Sequence, residues 1–325
     1  MVYAPIIPTK YHSLKLAHIT LNMKLLAILL ALTALHYLPR PKLMQVSQYL
    51  LHFFNALDHH FNGGRSSHAL FIWLLGAFLP ALLVGVLSFY CYKIHSILGL
   101  IFSIFILYAT IDFSDFGVKP KKIADALDAN NSEEALHIVR EWQTNKDQLV
   151  AINANQIASV SIAYLFKNAH YGLFALFLWF FVFGAAGVVL FSLSFLLLKN
   201  TTDTNPFEHT SHKILTTLDW LPSYLTATCF AVVGDFEDAV YCWRTQLDHC
   251  KNKTFASILA SGAGALEVKL DLALLPSQNG INSELGIGDL ADSDYLRSAV
   301  GLVWRGLILL LASFFLLTFA HFLGS

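Results

Sequence analysis

Two stretches of this sequence, Ala69 to Tyr90 and Tyr171 to Leu198, run for about 22 and about 28 residues without a charged side chain. The hydrocarbon core of a bilayer needs roughly 20 apolar residues per helical crossing, so both runs are long enough to span. Inside such a core every backbone N–H and C=O must be bonded within the protein, which leaves helices as the form these runs take. Four more apolar blocks accompany them: Met23 to Leu38, Ile97 to Ile111, Ile214 to Val233 and Val300 to Leu323. The expectation is an all-α, polytopic helical membrane protein with about four to six membrane helices plus cytoplasmic amphipathic helices. Charged residues make up only 13% of the chain, against about a quarter in soluble domains, so a water-soluble globule of this length could not cover itself. The lipid bilayer is therefore the first partner. Lys and Arg (21) nearly balance Asp and Glu (22), and no basic-aromatic array occurs, so nucleic acid is not expected as one.

The first block resembles a signal sequence in its Lys24 start and leucine-rich core. No small-x-small cleavage site follows, and Pro39-Arg-Pro-Lys42 comes next, so the block reads as a short membrane helix. Residues 1–22 are weakly patterned and read as an extension from an upstream start, leaving 23–325 as one integral membrane domain. Within it, 112–168 and 234–297 are mostly polar. The first of these reads as helix, turn, helix, with Ser132 as cap of the second helix and Ala135, Ile138, Val139 and Trp142 on its buried face. Gly184-Ala-Ala-Gly187 interrupts the 28-residue block, as one long tilted helix or as two helices around a break. The helix cost of both glycines favours the break. Lys and Arg fall 15 against 6 on alternate sides of six crossings, which puts the richer side in the cytoplasm.

Asp219 stands in Leu218-Asp-Trp-Leu-Pro222. With Pro222 suited to a first helical turn, a membrane helix is expected to begin near Trp220 with Asp219 at its N-cap; an in-membrane functional carboxylate is the alternative. Asp235 and Asp238 have N-cap and first-turn spacing, and Phe236, Tyr241 and Trp243 suit an interfacial helix. Ser261-Gly-Ala-Gly-Ala-Leu-Glu267 is the best candidate for a backbone-lined ligand site, with close helix packing as the plainer reading. No phosphate-binding loop, dinucleotide fingerprint, zinc-protease motif or nucleophile elbow occurs. His52, His59, His60, His68, His209 and His212 match no ligand spacing, and the four cysteines form neither a C-x-x-C pair nor a disulfide framework. No metal site and no catalytic residue follow from these patterns.

Several segments, taken in order, resemble the CobD/CbiB membrane proteins of cobalamin biosynthesis and the related AmpE proteins linked to β-lactamase regulation. They are Lys122-Ile-Ala-Asp-Ala-Leu127 with Glu134-Ala-Leu136, Asp219-Trp-Leu-Pro-Ser-Tyr-Leu-Thr226, Ala263-Gly-Ala-Leu-Glu-Val-Lys-Leu270, and Leu285-Gly-Ile-Gly-Asp-Leu290 with Asp294, Arg297 and Ala299. Gly234 to Gln246 is similar to a branch of the family without clear cobalamin chemistry. The resemblance implies an ATP-dependent synthase, working with magnesium, that joins adenosylcobyric acid to an aminopropanol or its phosphate. The synthases' polar runs are absent here, however. Their Gly-Arg-Asp-Thr stands as Glu141-Trp-Gln-Thr144, and their Glu-Asn-x-x-Asp-Gly as Ala163-Tyr-Leu-Phe-Lys-Asn168. Their Asn-Thr-Leu-Asp-Ser-Met stands as the apolar Leu193 to Leu198, and their Asp-Asp-Val-Ala-Asn as Leu215-Thr-Thr-Leu-Asp219. Activating a carboxylate with ATP needs clustered carboxylates and amides beside a basic group. The expectation is therefore a family member without synthase activity, cofactor-free, in a regulatory or envelope-associated role with a membrane or cytoplasmic protein partner. The alternative is a divergent adenosylcobinamide-phosphate synthase using ATP and magnesium. Asp219, Ser261, Gly262, Gly264 and Glu267 are the ligand-binding candidates under either reading.

Overall fold

Helices form along the apolar runs and continue well beyond several of them. The computed structural model describes residues 23–35, 37, 66–111, 116–142, 153–199, 206–248, 250–273 and 284–323. Helices α1 to α4 span Met23–Leu35, Ser66–Trp73, Leu79–Ile94 and Ser96–Thr110, with a π-helical turn over Leu74–Phe78 between α2 and α3. Helices α5 and α6 cover Val118–Asp128 and Ser132–Trp142. Ala154–Ala169 (α7) passes through a π-helical turn, His170–Phe174, into Ala175–Phe183 (α8). Then follow α9 (Ala185–Lys199), α10 (Pro206–Val233), α11 (Phe236–Thr245), α12 (Lys253–Ala265), a small sheet, and α13 (Ser293–Leu323). Leu70–Ile94, Ala154–Phe183 and Ser293–Ala320 are long and apolar enough to cross a membrane, and Met23–Leu35, Ser96–Thr110 and Ala185–Leu198 are shorter apolar helices. The protein is an all-α membrane protein. Its small sheet has β1 (Val268–Asp271) at the centre, antiparallel to β2 (Glu284–Gly286) and parallel to β3 (Asp289–Leu290).

Two compact units divide the chain: 1–110, 177–212 and 311–325 in the first, 111–176 and 213–310 in the second. In the first, Ile72, Ala77, Leu193 and Leu197 form a core flanked by Trp73 and Val189. The Trp73 indole donates to the Ser194 hydroxyl at 2.9 Å, and Ser194 donates to the Leu190 carbonyl, so this polar pair is satisfied within the apolar packing. Gly184 ends α8 at φ +65°, the left-handed conformation that glycine adopts without steric cost. The break at this glycine is real, but its first half reaches back to Ala154 instead of starting at Tyr171. Lys24 donates to the free carbonyls of Phe181 (3.0 Å) and Val182 (3.3 Å), capping α8 with a charge of the sign its dipole favours. Replacing Lys24 by methionine is expected to cost about 1–2 kcal/mol through loss of these charge-assisted bonds, measured as a lowered thermal midpoint in detergent.

In the second unit α12 is the hub. Every residue from Thr254 to Ala265 is buried, although the segment lies in the stretch 234–297 that its composition marks as polar. The charges there belong to the loops and to α11, while α12 itself is almost uncharged. Asn153 and Gln156 form a reciprocal capping box at the start of α7. Gln156 also donates to the Asp271 carboxylate at 2.8 Å, and the Asp271 N–H donates to Ser159, which fastens β1 to α7. Most of α7 is buried, so residues 154–168 belong with the membrane-length helix and not with a soluble segment. The cap of α6 is Asn131: its side chain accepts from the Glu134 N–H (3.2 Å) and donates to the Glu134 carboxylate (2.9 Å), displacing the role expected of Ser132. Arg297 gathers Asp294 (3.0 Å), Asp125 (3.3 Å) and Asp128 at the base of α13. The Ser293 hydroxyl and the Arg297 guanidinium hold the Asp128 carboxyl below the usual carboxylate range.

Candidate functional site

A polar cluster lies in the core of the second unit, where the π-helical turn after α7 meets α10. His170 is fully buried, and Asp219 and Thr226 are 1% and 0% exposed. His170 Nε2 lies 2.7 Å from Asp219 Oδ1, and His170 Nδ1 lies 2.9 Å from the Thr226 hydroxyl. The half-buried Tyr171 donates its hydroxyl to Asp219 Oδ2 at 3.0 Å. Both carboxylate oxygens and both imidazole nitrogens are thus engaged, as buried polar groups require. Asp219 and Thr226 are seven residues apart on α10, two helical turns, and so share a face. On the other side, the single extra residue of a π turn redirects the side chains that follow it, and the consecutive His170 and Tyr171 both reach Asp219 there. Phe166, Phe174 and Phe230 pack together beside the cluster, with ring centroids 5.0 and 5.6 Å apart, and wall it in apolar surface.

This arrangement corrects the expected position of Asp219. Helix α10 runs unbroken from Pro206 to Val233 with Pro222 in its interior, so Asp219 lies mid-helix and not at an N-cap. Pro222 is compatible with a first turn, but the thirteen helical residues before Asp219 place the true start at Pro206. Its bonds to His170 and Tyr171 hold the Asp219 side chain inside.

The other candidates lie elsewhere. Ser261 donates to the Ala227 carbonyl at 2.7 Å, eight residues along α10 from Asp219 and about 12 Å away by helical rise. Gly262 and Gly264 are contact points between elements. A Cβ on Gly262 would meet the Phe166 ring at 2.5 Å, and one on Gly264 would meet the Asp238 carbonyl oxygen at 2.4 Å. Glu267 is exposed at φ +52°, just past the end of α12. Its carboxylate groups with those of Asp235 and Asp238, oxygens within 4.8 Å of one another. Three carboxylate oxygens suit a hard divalent cation. Asp235, however, already accepts the Asp238 N–H as the cap of α11, as its spacing predicts. Glu237 and Asp238 make the first turn of that helix acidic, which repels a triphosphate where a helix N-terminus would otherwise attract one. Lys269, two residues after Glu267, is held by Glu284 at 2.8 Å.

Among the cysteines, burial and the nearby Asp238 push the Cys242 thiol up to about 11, which leaves it a core residue and not a nucleophile. All four cysteines are free thiols. His52, His59 and His60 lie outside the described residues. His170, Tyr171 and Thr226 escaped the reading of the sequence. The signal for His170 was its position directly before the uncharged run beginning at Tyr171, an ionisable group at the edge of an apolar block.

Comparison with known proteins comes out the same way along most of the chain. Residues 23–268 match the family described as "Regulatory signalling modulator protein AmpE". The chain is 29% identical over 266 residues to a "Cobalamin biosynthesis protein CobD" of Stutzerimonas stutzeri, covering 78% of this chain and 84% of that protein. It is 28% identical over 224 residues to a protein of the same description from Chromobacterium violaceum, covering 65% and 69%. No solved structure matches. With one family matched across most of its length, and with the CobD proteins as relatives, the chain belongs to the AmpE family within the CobD/CbiB-AmpE group of membrane proteins.

Proposed function

We propose that this protein is a multi-pass bacterial inner-membrane protein that modulates a signalling process and does not carry out amide synthesis. The observation that carries this reading is the closure of its candidate residues. A synthase would gather Asp219 and the Ser261 to Glu267 turn around an open polar cavity. Here Asp219 is buried with both oxygens engaged, Ser261 is bonded to α10, and Gly262 and Gly264 are filled by their neighbours. The acidic first turn of α11 beside the exposed carboxylates points the same way. A regulator needs none of these groups to face solvent; it needs a stable membrane body and a surface for a protein partner.

The second reading is a divergent adenosylcobinamide-phosphate synthase, favoured by the two relatives described as cobalamin biosynthesis proteins and by the Asp235, Asp238 and Glu267 carboxylates. Complementation separates the two. The chain is expressed in a bacterial strain lacking its own synthase, on medium where growth depends on cobalamin made from cobyric acid. No growth is expected while blotting detects the protein in the membrane fraction; growth, with the amide product seen by mass spectrometry, would reverse the assignment. In the native host, deletion of the gene is expected to change induced β-lactamase activity while leaving cobalamin content unaltered.

A further inference from the structure

Helix α13 is longer than a bilayer requires, and its charges mark where the surplus lies. The stretch Ser293–Ala320 has 28 residues, a rise of about 42 Å at 1.5 Å per residue, against a hydrocarbon core of about 30 Å. In its first turns Asp294 and Arg297 are exposed and tied to Asp125 and Asp128, a charged group that belongs in water. Arg305 is the last Lys, Arg, Asp or Glu of the sequence. Beyond it the exposed large side chains of α13 are Ile308, Phe315, Leu316, Leu317, Phe319 and Leu323, all apolar. From Gly306 to Leu323 the helix rises about 27 Å, close to one hydrocarbon thickness.

We propose that Arg305 is the headgroup contact of α13, its guanidinium binding the phosphate of an anionic phospholipid at the edge of the hydrocarbon. Side chains on a helix lean toward its N-terminus, and Arg305 does so: its Nε lies 3.4 Å from the Gly301 carbonyl oxygen, one turn nearer the charged end. The helix surface at Gly301 is open, since a methyl placed there would meet no atom within 4 Å. The guanidinium is thus carried out of the apolar stretch along its own helix, the path by which arginine keeps its charge at a membrane surface. Among the described residues no carboxylate pairs with Arg305, and its terminal nitrogens offer the planar fork that phosphate oxygens accept. Trp304, 40% exposed, stands at the same depth with Phe116 edge-on at 5.9 Å, and indole rings concentrate in the headgroup layer. The segment holding α5 meets α13 at two levels, Asp125 and Asp128 at Arg297 and Phe116 at Trp304. The exposed Lys121 and Lys122 lie between those levels, on the aqueous side, and add to the attraction for anionic lipid. The aspartates around Arg297 oppose it only weakly. Arg297 is eight residues from Arg305, about 12 Å along the helix, beyond the screening length of about 8 Å at physiological salt. None of this depends on whether the protein is a regulator or a synthase.

The test uses the full chain, purified in detergent and incubated with equal amounts of phosphatidylglycerol and phosphatidylcholine, with bound lipid counted by native mass spectrometry. One cation at the membrane surface favours an anionic lipid by on the order of five-fold, so the wild-type one-lipid adduct should favour phosphatidylglycerol by about that factor. R305Q should lose most of the preference, and R305K, which keeps the charge, should retain most of it. Inorganic phosphate in excess should displace none of the lipid, because the acyl chains are held on the apolar face that begins at Ile308. Depth is read separately in nanodiscs, where both membrane faces are open, with a membrane-impermeant maleimide. The background is C91A, since the other three cysteines are buried. S298C, at an exposed position before the boundary, should label, and I308C, at a position 63% exposed but beyond it, should not. An unchanged lipid ratio in R305Q, displacement by inorganic phosphate, or equal labelling at the two positions would each overturn the proposal. So would an R305Q protein that melts well below wild type in detergent, because Arg305 would then be paired with a protein carboxylate, of this chain or of a partner.

Discussion

Replacing His170 by leucine is expected to lower the stability of the protein by about 3–5 kcal/mol, the range found when one partner of a buried ionisable pair is removed. Leucine fills much of the space but bonds nothing. Asp219 would keep the Tyr171 hydroxyl on one oxygen and lose the imidazole at 2.7 Å on the other, at 1% exposure. Thr226 would lose its donor as well. Tyr171→Phe removes the hydroxyl's bond to Asp219 from a half-buried residue and is expected to cost about 1 kcal/mol. The ratio between the two is the informative quantity, read from thermal or denaturant melts of protein in the same detergent. Similar small losses in both would mean that water reaches Asp219 and that the core there is not dry.

Gly264→Ala carries the second large effect. Its added methyl would lie 2.4 Å from the Asp238 carbonyl oxygen and 2.7 Å from the Ala239 α-carbon. Both are backbone atoms of α11 and cannot rotate away, so the two helices must part along their contact. Overpacking costs about 1–3 kcal/mol in general, and this position belongs at the upper end, about 3 kcal/mol, even after alanine's better helix propensity is counted. Gly301→Ala in α13 is the matched control. No atom lies within 4 Å of its new methyl, so the propensity gain of up to about 1 kcal/mol should be seen on its own. If both variants melt alike, the close approach of α11 and α12 is not what Gly264 secures.

These two positions show unequal legibility in the sequence. The spacing of small residues in Ser261-Gly-Ala-Gly-Ala marked a place of close approach, and close approach is what α12 makes with α11 and with Phe166. Which neighbour comes close is set by folding across distant segments, and nothing local to residues 261–265 names it. Asp219 was legible as a carboxylate in an apolar run, but its helix was begun about fourteen residues too late, near Trp220 instead of at Pro206, because Pro222 reads locally as a start signal. The cap of α6 was displaced by one residue, from Ser132 to Asn131, within the ordinary scatter of helix ends. Asp125 and Arg297 appeared separately in family-like segments, and the fold joins them in one ion-pair group.

Hydropathy alone determined that this chain lives in a bilayer as helices, because uncharged runs of membrane length leave no other way to satisfy the backbone. Local signals likewise determined the break at Gly184 and the Asp235 cap, since each depends only on neighbours within a turn. The tertiary structure decided the rest. It buried α12 inside a segment of polar average composition, and it left Glu267 outside with two aspartates. It also brought His170 and Tyr171 to Asp219 across about 50 residues of sequence. A hydrogen bond between distant residues depends on how two helices are rotated and staggered against each other. That is settled by the packing of every side chain between them, and it leaves no periodic trace in either helix.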